Sequence, residues 1–282
     1  MNVDLLKSHA KSFYWASFFL SKETYSKCST LYNFCRTLDD IADSYDKLDI
    51  KKQKFLKFKN DFINKSSENF IVKSMWEVIK KEEISKKVVL DLFDGVETDL
   101  VENIKIKSKK DLLVYSYRVA GTVGLMMSKI LKVENKESLK GAIDLGIAMQ
   151  LTNIARDVIE DKNRDREYID FNFSSIKETI NYAETFYNKS FFAISSIPIQ
   201  SRFSVIVARR VYKKIGEYIL KQGNIEKYNS AGRIYVPTLS KILETILSVV
   251  DFLKLLFIKN VSYYENENHS ILNQEINLNE RI

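Results

Sequence analysis

Acidic side chains recur four residues apart in two segments of the chain, at Asp39 and Asp43 and again at Asp157 and Asp161. On a helix, residues i and i+4 lie on one face, so each pair forms a short carboxylate stripe. Like charges stacked in this way destabilise a helix, and aspartates are rarely buried unless they are paired or bind a metal. The spacing therefore predicts a cation between the two stripes, and a divalent metal ion is the natural candidate.

The second stripe is longer than the first and includes amide side chains. Gln150 and Asn153 precede Asp157 and Asp161 at helical spacing, and amide and carboxylate oxygens are the ligands that Mg²⁺ prefers. A histidine-rich zinc site is excluded, because the chain has only two histidines. Mg²⁺ usually combines one or two protein carboxylates with water and phosphate oxygens. Two facing stripes with arginines nearby therefore predict a diphosphate site, and the alternative is that each stripe is an ordinary solvated helix face.

Other acidic residues are weaker candidates for metal binding. Asp40 lies about 100° round the helix from Asp39 and points away from the stripe. Asp91, Asp94 and Asp99 match no metal-binding loop, so we expect them to be solvated helix positions.

The rest of the sequence predicts the helices that must position the stripes. Its 282 residues include only 8 Gly and 2 Pro among long apolar-periodic runs, which favours an all-α protein. No linker divides the chain, so we predict a single domain over residues 1–282 with about the last fifteen residues disordered. Gly121 and Gly124 interrupt an apolar helical run and predict close helix packing or a helix break beside a ligand. Helices are predicted over residues 4–20, 22–45, 46–66, 70–106, 111–132, 138–162, 174–196, 201–222 and 238–259.

Charge and cysteine content limit the partners and the compartment. A net charge of +7 is compatible with nucleic acid, an anionic membrane surface or phosphate-bearing substrates. No nucleic-acid recognition motif accompanies the charge, so we do not expect nucleic acid as a partner. Cys28 and Cys35 match no disulfide framework, and free thiols indicate a cytoplasmic protein. No apolar run is long enough for a membrane span, which leaves peripheral contact at the inner membrane surface.

The amphipathic segment 238–259 leaves two interpretations open. Polar residues recur along it near a period of 3.5, with Leu, Ile, Val and Phe between them. The segment is either a core helix or a helix that lies on a membrane surface.

Several blocks of residues recur in the order of one enzyme family. From about His9 to about Lys241 the chain resembles the squalene/phytoene synthases, which join two isoprenoid diphosphates head to head, and bacterial phytoene synthases most of all. The blocks are Ser12-Phe13-x-x-Ala16-Ser17, Tyr32-x-x-Cys35-Arg36-x-x-Asp39-Asp40-x-x-Asp43, Val119-Ala120-Gly121-Thr122-Val123-Gly124, Gln150-Leu151-Thr152-Asn153-Ile154-x-Arg156-Asp157-x-x-Glu160-Asp161, Ala208-Arg209-Arg210-Val211-Tyr212 and Arg233-Ile234-Tyr235-Val236-Pro237.

The resemblance implies a fold and a reaction. The expected fold is a single-domain isoprenoid-synthase helical bundle with a central apolar cavity. The expected enzyme is a prenyltransferase that condenses two geranylgeranyl diphosphates, through prephytoene diphosphate, to phytoene and diphosphate, the first committed step of carotenoid biosynthesis. Two or three Mg²⁺ ions are implied, with Mn²⁺ as a substitute and without NADPH. The alternatives are a squalene or dehydrosqualene synthase using farnesyl diphosphate, and a non-catalytic helical assembly or lipid-binding relative, against which the intact aspartates argue.

The resemblance also implies residue roles. The implied metal ligands are Asp39, Asp43, Asn153, Asp157 and Asp161. The implied catalytic residues are the four aspartates of the stripes together with Arg36 and Tyr212. The residues implied around the diphosphates are His9, Lys11, Ser12, Tyr32, Arg36, Gln150, Arg156, Arg166, Tyr212 and Arg233. The residues implied to line the prenyl channel are Tyr115, Val119, Ala120 and Gly124.

Overall fold

The structure, a computed structural model, describes residues 5–9, 11–258 and 267–282, and it describes no side chains for Ser8 and His9. The predicted diphosphate contact of His9 therefore lies outside the described side chains. The described residues are almost entirely helical, so the all-α prediction is confirmed. The helices are α1 (Leu5–His9), α2 (Lys11–Ser17), α3 (Lys22–Asp43), α4 (Leu48–Ile63), α5 (Phe70–Lys81), α6 (Lys86–Glu97), α7 (Lys109–Ser116), α8 (Thr122–Ile130), α9 (Lys136–Lys162), α10 (Phe173–Ser190), α11 (Ile199–Leu220), α12 (Ile225–Ala231), α13 (Thr238–Leu256) and α14 (Glu267–Ile276).

Helix α9 runs through the middle of the bundle and carries the second stripe. It packs against α8, α10 and α11, and apolar residues such as Ile143, Ile147 and Leu151 are fully buried on it. The Asn135 side chain starts the helix by accepting a hydrogen bond from the backbone N–H of Ser138 at 3.0 Å. A helix with apolar residues on most faces must lie inside the protein. The second stripe is therefore held at the centre of the fold.

Gly124 of the 117–124 run and Gly146 of α9 allow two helix backbones to touch. A Cβ atom on Gly124 would lie 2.2 Å from the carbonyl oxygen of Ala142, and one on Gly146 would lie 2.2 Å from that of Ala120. The chain between α7 and α8 forms a π-helical turn, Tyr117–Gly121, a rare geometry that is often found at functional sites. Of the two alternatives predicted from Gly121 and Gly124, close helix packing is present, and the helix beside it is continuous through a π-helical turn rather than broken.

The C-terminal residues 267–282, which were expected to be disordered, form α14 and a short 3₁₀ turn against the bundle. The His269 ring lies buried with Nε2 2.7 Å from Asp144 Oδ1. The Arg281 guanidinium donates twice to Asp91, at 2.9 Å to each oxygen. The prediction that Asp91 is solvated is therefore wrong. The C-terminal helix and Asp91 were mispredicted for one reason, because the polar partners that bury them are distant in sequence.

Helix α13 buries its polar side and exposes its apolar side, the reverse of a core helix. Its buried residues are mainly polar, namely Glu244, Ser248 and Asp251, while most of its apolar residues face outwards. The core interpretation of this segment is therefore wrong. No helix in the described ranges is both long enough and apolar enough to cross a membrane.

Candidate active site

A central cavity of about 970 Å³ contains both acidic stripes in its wall. Helices α3, α8, α9 and α11 contribute most of the wall, and the stripes on α3 and α9 lie at the same polar end. Nearly every site residue expected from the sequence lines this cavity. They are Lys11, Ser12, Tyr32, Arg36, Asp39, Asp43, Val119, Ala120, Gly124, Gln150, Asn153, Arg156, Asp157, Asp161, Arg166, Tyr212 and Arg233.

Tyr115 is the described site residue that the structure does not bring to the cavity wall. Its hydroxyl donates to Asp99 Oδ2 at 2.9 Å, and its ring stacks on Tyr168 with centroids 4.8 Å apart. Tyr168 donates to the other oxygen of Asp99 at 2.7 Å. Burial raises the pKa of Asp99, against the lowering effect of Arg166. Asp99 is therefore part of a buried hydrogen-bond network, and the prediction that it is solvated is wrong.

The two aspartates of the first stripe differ in their partners. Asp43 Oδ1 lies 2.7 Å from Arg166 Nη1, and Asp43 Oδ2 lies 2.7 Å from Arg164 Nη1. Burial would raise the pKa of Asp43, but the two guanidiniums outweigh it and lower that pKa. Asp39 has no ion pair within the described residues. Its side chain is exposed to the cavity. Desolvation by the surrounding protein, followed by the charge of Asp43, raises its pKa to about 7.

A kink in α9 shapes the second stripe. The backbone of Asp157 leaves helical geometry, with φ −106° and ψ 15°. The Tyr228 hydroxyl lies 3.0 Å from the carbonyl oxygen of Ala155 and 2.6 Å from that of Arg156, so it can donate to either. A group inserted beside the helical hydrogen-bond ladder is a usual cause of a kink. The kink therefore has a buried polar partner from α12, a helix that the sequence patterns did not predict.

In the second stripe, as in the first, one aspartate pairs with arginines and the other has no ion pair among the described residues. The Arg156 guanidinium binds Asp157 through both oxygens, at 2.8 and 2.6 Å, and Arg233 Nη2 approaches Asp157 Oδ2 at 3.2 Å. Asp161 forms no ion pair among the described residues. Burial, followed by the charge of Asp157, raises the pKa of Asp161 to about 7. Among the residues that the structure describes, each stripe thus has one aspartate neutralised by arginine and one that is not.

A small sheet follows α9 and places two arginines beside the first stripe. Strand β2 (Arg166–Glu167) follows α9 and pairs in parallel with β1 (Ile104–Lys105). This pairing fixes Arg164 and Arg166 so that both reach Asp43 on α3. Sequence reasoning missed Arg164 and its neighbour Glu160, which both line the cavity. The available signal was weak, because their i,i+4 spacing is typical of a surface ion pair on a helix.

Two buried atoms in the polar end lack hydrogen-bond partners in the described structure. They are Nε of Arg36, a donor, and Oδ1 of Asn153, an acceptor. Buried polar groups are normally hydrogen-bonded, so an anion beside Arg36 and a cation beside Asn153 would complete both. Within the described residues, no three His, Cys, Asp or Glu side chains are close enough to form a metal centre by themselves. The stripes offer carboxylate and amide oxygens, the kind of donor that fits Mg²⁺ together with phosphate oxygens.

The chain matches a known protein family. The model of the squalene/phytoene synthase family matches residues 6–169. This chain belongs to the squalene/phytoene synthase family. The resemblance seen in the sequence is confirmed, and as a member of this family the protein is a prenyltransferase.

Similar proteins share most of the length of this chain. The 15-cis-phytoene synthase of Pantoea ananas is 27% identical over 254 residues, covering 78% of this chain and 82% of that enzyme. The 15-cis-phytoene synthase of Synechococcus elongatus is 25% identical, covering 83% and 86%. The crystal structure of a dehydrosqualene synthase in complex with ligand superposes with a TM-score of 0.76 at 25% identity, covering 89% of this chain and 94% of that chain.

The cavity of this family member becomes apolar away from the stripes. Its wall there includes Leu31, Met127, Leu145 and Cys28, whose Sγ atom lies 3.3 Å from Met127 Sδ. Burial raises the pKa of the Cys28 thiol to about 12, so the thiol stays protonated and acts as an apolar wall group. The cavity therefore combines a charged end with an apolar chamber.

Proposed function

We propose that this chain is a phytoene synthase, which joins two geranylgeranyl diphosphates and releases diphosphate. The observation that carries the proposal is the single cavity with both aspartate stripes and several arginines at one end and apolar walls beyond them. A diphosphate group suits the charged end, and a prenyl tail suits the apolar walls. The volume of about 970 Å³ lies at the upper end of ordinary ligand pockets, about 300–1,000 Å³, as a site for two long tails requires.

The oxygens of the two stripes would hold Mg²⁺ in the proposed site. Asp39, Asp43, Asn153, Asp157 and Asp161 are the proposed ligands, and Mn²⁺ is a chemically reasonable substitute. When bound, the metal would neutralise the negative charge that develops on the departing diphosphate.

The arginines of the polar end, together with Lys11, would hold the diphosphate groups. The orphaned Nε of Arg36 faces this region, while Arg156, Arg166 and Arg233 already contact carboxylates beside it. Guanidinium groups bind phosphate oxygens in pairs, which orients the group as well as neutralising it. We expect these arginines to exchange their carboxylate contacts for phosphate contacts when the substrate binds.

The apolar chamber would protect the cationic intermediates. Loss of diphosphate from an allylic carbon leaves a carbocation, and attack by the double bond of the second substrate gives a cyclopropyl diphosphate and releases a proton. A second loss of diphosphate, rearrangement and release of another proton would then give phytoene. Walls of Leu, Met and Val would exclude water at each cationic stage. The Tyr212 ring, whose centroid lies 4.8 Å from that of Phe13, would add an aromatic face.

A dehydrosqualene or squalene synthase is the second candidate, because the superposed dehydrosqualene synthase covers nearly the whole chain. These enzymes would use the shorter farnesyl diphosphate in the same site. Since the substrate tails and the product are apolar in either case, we also propose peripheral contact with a membrane.

Product analysis with purified protein tests the proposal. Geranylgeranyl and farnesyl diphosphate are supplied separately with Mg²⁺, with and without NADPH, and the extracted hydrocarbons are identified by chromatography and mass spectrometry. We expect phytoene from the C20 substrate, independent of NADPH and abolished by EDTA. Product from the C15 substrate alone would favour dehydrosqualene synthase, and an NADPH-dependent squalene would favour squalene synthase.

A further inference from the structure

The polar edge of α13 is fixed against the bundle by ion pairs. Arg210 donates to Glu244 Oε2 at 2.9 Å and to Asp251 Oδ2 at 2.7 Å. Glu244 and Asp251 are only 5% and 8% exposed, and Ser248 between them is fully buried. Both acidic residues of α13 are thus neutralised and turned inwards, so the orientation of the helix is set by charge pairing rather than by burial of its apolar side.

The opposite side of α13 is exposed and continuously apolar. A contiguous apolar patch of more than a few hundred Å² is uncommon on a protein surface and usually marks an interaction site. We call this surface the outer face of α13. Its residues are Leu239, Ile242, Leu243, Ile246, Leu247, Val249, Val250, Leu253, Leu256 and Phe257.

Aromatic residues extend the outer face towards the N-terminal helices. Phe18 is 63% exposed at the end of α2, and Phe19 beside it stacks edge-on to Phe203 with centroids 4.9 Å apart. Phe203 in turn contacts Phe252 of α13 at 5.9 Å. Trp15 donates from Nε1 to the Thr245 hydroxyl at 3.0 Å. The turn after α2 and the outer face of α13 are therefore neighbours in one apolar surface.

The charges at the edges of this surface are positive. Lys241 and Lys254 are the basic residues of α13. Lys254 is 64% exposed, and its Nζ lies 3.9 Å from Asp251 Oδ1. Burial lowers the pKa of Lys241, and the nearby charge of Lys11 lowers it further. The acidic residues of the helix are already paired with Arg210. Positive edges are complementary to anionic lipid headgroups. A second copy of the chain docked through the same surface would bring equal charges together.

The outer face meets the mouth of the cavity. Pro237, Thr238 and Lys241, at the start of α13, also line the cavity wall. Tyr235 beside them is 56% exposed, and Lys11 lies 5.1 Å from the centroid of its ring. Amphipathic aromatic residues with basic neighbours are typical of a membrane–water interface.

We propose that the outer face of α13, together with Phe18 and Phe19, lies flat on an anionic lipid bilayer and places the cavity mouth against the lipid. Prenyl tails would then enter from the bilayer, and the hydrocarbon product would return to it, without exposure to water. The bilayer contact follows from the surface itself, whereas the passage of tails and product rests on the function proposed above.

Vesicle flotation with the full-length protein tests the surface. Vesicles of phosphatidylglycerol and phosphatidylethanolamine are compared with vesicles of phosphatidylcholine alone, at low and high salt. We expect binding to the anionic vesicles that weakens with salt. The triple variant Leu243→Gln, Ile246→Gln, Val250→Gln should lower the partition coefficient at least about tenfold, because binding strength scales with the buried apolar area.

A matched triple variant on α4 provides the control. Ile50, Leu56 and Ile63 are exposed to 41%, 51% and 40%, similar to the residues changed on α13. Their replacement by Gln should leave vesicle binding unchanged. Equal loss of binding in both variants, or no binding by the unchanged protein, would overturn the proposal. So would a dimer in sedimentation that the α13 variant alone converts to monomers, because the surface would then serve a second copy.

A detergent assay separates this proposal from the proposed function. With substrate supplied in micelles, the α13 variant should form phytoene at the rate of the unchanged protein, while with substrate in vesicles it should be slower by about the loss in binding. Equal rates in vesicles would overturn the proposed entry and exit route. Failure of the unchanged protein to form phytoene in micelles would refute the function and leave the vesicle-binding result standing.

Discussion

The stripes on α3 and α9 have the same spacing but are supported differently. The first lies on a regular helix, and its arginines come from the turn after α9, which carries Arg164, and from strand β2, which carries Arg166. The second lies at a kink, and its bidentate partner, Arg156, precedes Asp157 in the chain. In both, one aspartate is paired with arginine and the other has no ion pair within the described part of the chain. The shared spacing supplies the ligand oxygens, while the different arginine sources determine how firmly each stripe is held before substrate arrives.

The largest expected effect concerns the unpaired aspartates, Asp39 and Asp161. Asp39→Asn or Asp161→Asn should each lower the rate of product formation about 10²–10³-fold, because each removes charge that would bind metal opposite the diphosphate. Neither change should lower the melting temperature of the metal-free protein at pH 7, since each removes a repelled carboxylate. Product formation and thermal unfolding are measured on the same preparations.

Asp40→Asn is the matched control for Asp39→Asn. Asp40 neighbours Asp39 on α3, is half exposed and pairs with Arg36 at 2.6 Å. We expect at most a few-fold change in rate. A loss as large as that of Asp39→Asn would contradict the distinction between the stripe and its flank.

A smaller effect should distinguish the arginines of the two stripes. Arg166 is 9% exposed and also donates to the Ala42 carbonyl at 3.0 Å, whereas Arg233 is 40% exposed. Arg166→Gln should therefore cost about 2–3 kcal/mol of unfolding free energy, because it leaves buried acceptors without a donor. Arg233→Gln should cost less than about 1 kcal/mol, as for surface ion pairs. Urea unfolding measures both, and equal costs would show that the two stripes are held alike.

The smallest expected effect is a pH dependence of stability in the metal-free protein. The folded-state pKa values of Asp39 and Asp161 lie at about 7, above the usual value of 3.8. Their stabilising contribution is present below pH 4 and is lost as the pH rises through 7, because the folded state holds protons that the unfolded chain has released. Asp43 has the opposite sign, since its pKa is lowered and its contribution is lost only in acid.

Thermal unfolding in EDTA between pH 5 and pH 8 measures this dependence. The unchanged protein should lose on the order of 1 kcal/mol across the range, once screening by water in the cavity is considered. The double variant Asp39→Asn, Asp161→Asn should have a flatter profile. An unchanged slope in the double variant would show that other groups titrate there.

The spacing of the stripes predicted the carboxylate and amide oxygens of the candidate site, because i,i+4 carboxylates identify a helix face without knowledge of the fold. The family resemblance supplied the other expected residues. Neither predicted Asp99 or Arg164, whose roles depend on partners contributed by other parts of the chain. Tyr115 shows the same limit, since the family resemblance implied a channel residue and the structure places its hydroxyl on Asp99.

The segments after the family blocks show what remained undecided. The pattern of 238–259 indicated an amphipathic helix, but it did not decide between a core helix with its apolar side buried and a membrane-surface helix with that side exposed. Arg210 on α11 decided this by pairing with Glu244 and Asp251.

The sequence by itself determined the all-α class, the two stripes and the family, because helix periodicity and short motifs are local properties of the chain. Only the tertiary structure decided which aspartates are neutralised, where α9 kinks and which side of α13 faces out. Those outcomes depend on side chains such as Arg166, Tyr228 and Arg210, whose partners are distant along the sequence and close only in the folded protein.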